Sequence, residues 1–145
     1  MVDSRTAPYG ALLLRLALGY LAIAHLYWKF FILPNGLDGW WANLNNNGYP
    51  NWVVIYVLSA EFAGALLLIP GIFARYVALY GAPLMIAAAQ YWWVRKGFFF
   101  TMAGMELPAL WTIGLVTLGL VGDGAYALVP SPRLPFIRQR RTAHA

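Results

Sequence analysis

The sequence predicts an all-α fold: an integral membrane four-helix bundle with both termini in the cytoplasm. Three observations predict it. The chain of 145 residues is 61% hydrophobic and 10% charged, where a soluble domain carries about 25% charge. Its apolar runs reach about 20 residues, the length that crosses a hydrocarbon core of roughly 30 Å as a helix. Its basic residues also sort by side. Four spans put Arg5, Arg75, Arg133, Arg138, Arg140 and Arg141 on one face of the membrane, with Arg15 near them, and only Lys29, Arg95 and Lys96 on the other. The positive-inside rule reads the richer face as cytoplasmic.

Composition also excludes several chemistries. The chain has no cysteine, so it builds no disulfide, thiolate metal site, iron–sulfur cluster or thioether-linked haem. Basic residues do not interleave with aromatics on a soluble face, so no nucleic-acid partner is expected.

A short polar start (Asp3, Ser4, Arg5) leads into a first helix from about Tyr9 to Phe31. Ala22-Ile23-Ala24 imitates a signal-peptidase site, but the apolar run continues through Leu26, Tyr27 and Trp28, so a retained span is expected. Residues 32–51 are rich in Asn, Gly and Pro and read as a loop. Trp40, Trp41, Tyr49 and Trp52 suit a segment lying on the membrane interface. A second helix runs from about Trp52 to Phe73, with Glu61 set among Ala60, Ala63, Gly64 and Ala65 and closed by Pro70-Gly71.

A third helix, about Tyr76 to Trp93, contains Pro83, which membrane helices tolerate when neighbours satisfy the freed carbonyl. The fourth ends near Gly122-Asp123-Gly124. Its start is open: residues 98–105 read as helix or as interfacial approach, and Pro108 suits a first turn. Residues 1–129 form one domain, and 130–145 a basic, Pro-rich cytoplasmic tail. That tail is expected to rest on anionic headgroups, at about 1 kcal/mol per basic residue close to the surface.

On helix 1, Arg15, Leu18, Ala22, His25 and Lys29 recur at spacings of three and four, one stripe that should face the bundle. Counting at 1.5 Å per residue, His25 lies roughly 9 Å and Glu61 roughly 13 Å below the outer helix ends. Gln90 and Glu106 also fall in the outer half. His25, Lys29, Glu61, Gln90 and Glu106 are therefore expected to meet at one outer site, with Arg15 on the same stripe as Lys29.

An acid inside a membrane helix is functional by default, with a named partner to be found. Each residue also has a plainer role. Glu61 suits a structural pin between helices, and Glu106 a first-turn carboxylate favoured by the helix dipole. Arg15 and Lys29 suit snorkelling to opposite interfaces. Gly64, Gly81 and Gly114 read as close-packing positions. No metal is expected, because His25, Glu61 and Glu106 lack a ligand spacing signature. Haem held by two histidines is not expected either, since the other histidine is His144 in the tail.

Four pieces of the chain together resemble the DoxX family (DoxX/DoxD-like). They are LLLRLALGYLAIAHLYWKF (residues 12–30), EFAGALLLIPGIFAR (61–75), GFFFTMAGMELPALW (97–111) and GDGAYAL (122–128). Leu26 follows His25 where many members have Gly, and the outer loop is unusually rich in Asn and Trp. The resemblance implies a four-helix bundle of a bacterial-type inner (plasma) membrane, associated with redox systems and often beside quinone chemistry.

The leading expectation is a redox-associated subunit binding a quinone in the outer half of the bundle. Glu61 and His25 would exchange protons, Lys29 would stabilise the reduced anion, and Gln90, Glu106 and Arg15 would complete the binding set. Electrons would come from a partner protein, in the membrane or the periplasm. The alternative is a non-catalytic accessory subunit that docks a larger complex, or another copy of itself, through the Trp/Asn-rich segment.

Overall fold

The structure is a computed structural model that describes residues 3–134. Among them the fold is all-α, without strands, and has five α-helices: α1 (Ala7–Tyr27), α2 (Gly36–Asn46), α3 (Asn51–Ala63), α4 (Ala74–Lys96) and α5 (Glu106–Val121). Two helices continue as a wider π turn, α1 through Trp28–Ile32 and α3 through Gly64–Leu68. With those turns included, Ala7–Ile32 and Asn51–Leu68 are long and apolar enough to cross a membrane. The other two long helices each lack one requirement. Helix α4 has 23 residues, but Arg75, Gln90, Arg95 and Lys96 dilute it. Helix α5 is apolar but has 16 residues, about 24 Å of rise.

The segment expected to be a loop forms helix α2. The reason is visible in its side chains: Leu37, Trp40, Trp41 and Leu44 follow the spacing of an amphipathic helix, and all four are half-buried while Asp38, Asn43, Asn45 and Asn46 are exposed. Asn35 and Gly36 take left-handed conformations that turn the chain into it. Trp41 Nε1 and Asn45 Nδ2 both donate to Asn51 Oδ1, tying α2 to the first residue of α3.

The interior is small and the exterior large. Leu18, Leu68, Ala74, Val77, Ala78, Ala82, Met85, Leu115 and Leu118 form the main core where α1, α3, α4 and α5 meet. Close approach depends on missing side chains: a Cβ on Gly119 would collide with Leu79. Leu13, Tyr20, Phe31, Ile55, Leu66, Ile86, Val94, Ile113 and Leu120 point outward and are exposed. A soluble monomer rarely exposes apolar patches beyond a few hundred Å². Small residues between helices and large ones outside are what lipid solvent permits.

Helix α3 ends earlier than the expected Phe73 because Gly71 (φ 73°) and Phe73 (φ 47°) are left-handed. Helix α4 keeps Pro83 inside it, on the exposed side. The approach to α5 is a short 3₁₀ turn, Phe100–Met102, and Pro108 falls in the helix's first turn.

After α5 the chain forms a strap across the end of the molecule. Ala125 N donates to Pro8 O, Leu128 N to Pro70 O, Val129 N to Gly71 O, and Val129 O accepts from Phe73 N. The chain stays attached past residue 130: Ser131 N donates to Asp123 Oδ2 and Leu134 is buried. Arg138, Arg140, Arg141 and His144 of the expected basic tail lie outside the described residues.

Candidate functional site

Helix α1 and its π turn carry His25 and Lys29 one turn apart; α3 carries Glu61. Lys29 Nζ donates to Glu61 Oε1 at 2.5 Å, and the two residues are 3% and 5% exposed. His25 Nδ1 stands 3.8 Å from the same oxygen with its side chain 48% exposed. That distance is beyond a hydrogen bond but within reach of an ion pair when the ring is protonated. Both π turns border this site, each at the C-terminal end of its helix.

The surroundings are aromatic on one side and small on the other. Trp40 of α2 lies over Lys29, Nζ 4.7 Å from its ring centroid. Trp111 of α5 lies against His25 with ring centroids 4.8 Å apart, and Trp28 is 6.4 Å away. Glu61 Oε2 is buried and has no hydrogen-bond partner. The pair is neutral as a unit. Losing either member would strand a buried charge, which costs about 3–5 kcal/mol.

Three of the six expected site residues converge here and three do not. His25, Lys29 and Glu61 form the group. Gln90 is exposed on α4 and makes no hydrogen bond to it among the described residues. Glu106 turns back from the start of α5, where its Oε2 accepts from Phe100 N at 3.0 Å and closes the 3₁₀ turn. Arg15 sits at the other end of α1, ten residues or about 15 Å from His25. Among the described residues no three His, Asp or Glu side chains gather closely enough to ligate a metal.

Arg15 has its own function in the fold. It is 1% exposed, and its guanidinium donates to the carbonyls of Asp123 (2.7 Å), Ala125 (3.4 Å) and Tyr126 (3.5 Å) in the strap. The Asp123 carboxylate accepts from Arg75 N, Ser131 N and Ser131 Oγ. The N-cap residue of α4, Phe73, has no capping side chain, so Asp123 supplies one from a distant part of the chain. Burial pushes the Asp123 carboxyl up, but the bonds from Ser131 and Arg75, with the Arg75 charge, hold it below the usual carboxylate range.

Sequence reasoning assigns no role to Trp111 or Asp123. Trp111 has no signal beyond lying inward on α5, and Asp123 reads there only as part of a Gly-Asp-Gly helix stop. No curated protein and no solved structure matches the chain. The DoxX family profile matches residues 10–96, more than half of the chain, and the matched stretch holds most of α1 and all of α2 to α4, with His25, Lys29 and Glu61. The chain therefore belongs to the DoxX family and is a membrane protein of that family.

Proposed function

We propose that the chain is a redox-associated subunit that binds a quinone ring at His25, with Glu61 and Lys29 behind it. The carrying observation is a buried carboxylate whose Oε2 has no partner and whose Oε1 stands 3.8 Å from the Nδ1 of a half-exposed imidazole. An orphan acceptor in the interior is costly unless a donor reaches it, so this site has a physical use for a ligand that brings a donor group, as a ring does in its reduced, hydroxyl-bearing form. A quinone supplies two-electron chemistry coupled to the uptake of two protons. His25, open to the outside, passes protons inward; Glu61 holds or returns one; Lys29 keeps the local charge balanced. Trp111 and Trp28 offer ring faces for stacking. Electrons come from a partner protein.

The same reading places the chain in a bacterial-type plasma membrane as a four-span bundle. The Arg5, Arg15 and Arg75 end lies in the cytoplasm with both termini, and the α2 end lies outside. The 1–129 segment is then the membrane domain and 130–145 its cytoplasmic tail.

His25 is the residue to test first, because its exposure lets it be replaced without emptying the core. His25→Ala and Glu61→Gln should each lower quinone-dependent turnover of membranes containing the protein. Unchanged turnover in both would remove the ring-binding role.

A second reading has its own observation. Helix α2 and its C-cap present exposed Asn43, Asn46 and Asn47 at helical spacing on an element held by Asn51, a polar face suited to docking a membrane or periplasmic partner as an accessory subunit. Co-purification of a larger complex that is lost on replacing those asparagines by lysine, with ring binding intact, would favour docking over chemistry.

A further inference from the structure

Glu61 Oε2 points to the kind of group that belongs beside it. It is buried without a partner while Oε1 is held by Lys29. Glu61 lines a cavity of about 30 Å³ whose other walls include Ala22, Ala60, Gly64, Gly81, Met85 and Trp111. A cavity needs about 10–15 Å³ to hold one water molecule, so the space takes a hydroxyl group. An ionised carboxylate oxygen only accepts hydrogen bonds. Apart from Glu61 and the Trp111 indole, the walls are apolar side chains and glycines, poor surroundings for a water that uses two to four polar partners. The donor is therefore best carried on a body that is otherwise apolar.

Building on the quinone reading above, we propose that this cavity is a hydroxyl subsite: Glu61 accepts the O–H of a hydroquinone, so the site prefers the reduced ring to the oxidised one. A quinone carbonyl in the same place sets acceptor against acceptor. The ring itself stays outside the cavity against Trp111, whose other neighbour is His25. Gly81 keeps the space open. A Cβ at that position would meet Leu115 Cδ1 at 3.6 Å, ordinary van der Waals contact, so an alanine is accommodated and its methyl occupies room the hydroxyl needs.

The test is anaerobic calorimetric titration of the full chain in lipid nanodiscs with a decyl-substituted benzohydroquinone and, separately, the matching benzoquinone. The hydroquinone should bind at least about tenfold tighter, the least expected of a hydrogen bond to a charged acceptor. Gly81→Ala should fold normally and bring the ratio close to one, and Glu61→Gln, whose amide also donates, should do the same. Equal or tighter quinone binding by the native chain overturns the hydroxyl subsite and leaves the ring site standing. Binding of neither overturns both. An unchanged ratio in Gly81→Ala also overturns it, because the cavity is then not where the hydroxyl sits.

Discussion

Lys29 on α1 and Glu61 on α3 close a buried ion pair across 32 residues of sequence, with Nζ 2.5 Å from Oε1. The pair pins the two helices that are long and apolar enough to span a membrane, and it does so where both pass into π turns.

Replacing one partner strands the other. Lys29→Met or Glu61→Leu alone should each lower stability by about 3–5 kcal/mol, whereas the double replacement should be close to neutral. Chemical unfolding in detergent measures this. The double variant also separates fold from chemistry: it should remain folded and lose ring binding.

Trp40 should couple to Lys29 through its ring face. Trp40→Leu keeps apolar bulk and removes the cation–π attraction, about 0.5–2 kcal/mol. A double-mutant cycle with Lys29→Met should return a coupling in that range, and a coupling near zero would mean that α2 merely rests on the pair.

Asp123 makes the strap acid-labile. Its folded pKa is depressed, so its contribution is present in full above the unfolded value of about 3.9 and is lost as pH falls through the lower folded value. Native protein should therefore lose stability below about pH 4 more steeply than Asp123→Asn. That variant should cost about 0.5–2 kcal/mol at neutral pH, as for loss of a helix cap. Thermal unfolding across pH reads both effects.

Gly71 should resist substitution. Its φ of 73° is left-handed, which costs an alanine about 1–2 kcal/mol, and the added methyl would fall on the Arg15 guanidinium and the Ala127 backbone. Gly71→Ala should loosen the strap, seen as faster protease cleavage between residues 122 and 134.

Much of this was legible in the chain. The inward face of α1 follows from its spacing, although Leu26 rather than His25 takes the fully buried position after Ala22, which leaves the imidazole at the edge. Helix α2 was legible in Leu37, Trp40, Trp41 and Leu44, but its Asn and Gly content argued louder for a loop. Depth counting alone grouped Gln90 and Glu106 with Glu61. Depth fixes height along a helix and not rotation about it. The inward stripe of α4 is Ala74, Ala78, Ala82 and Met85, and Gln90 lies off that line.

The sequence by itself determined a helical membrane protein of the DoxX family, the stripe that buries Arg15 and Lys29, and the acid that needs a partner. Those properties depend on composition and on local period, which the chain carries residue by residue. Only the tertiary structure decided the pairings: Lys29 with Glu61, His25 against Trp111, and Arg15 with the carbonyls of a strap more than 100 residues away. Such pairings depend on how helices rotate and where the last segment folds back, and small core residues such as Gly81 and Gly119 set that by the space they leave.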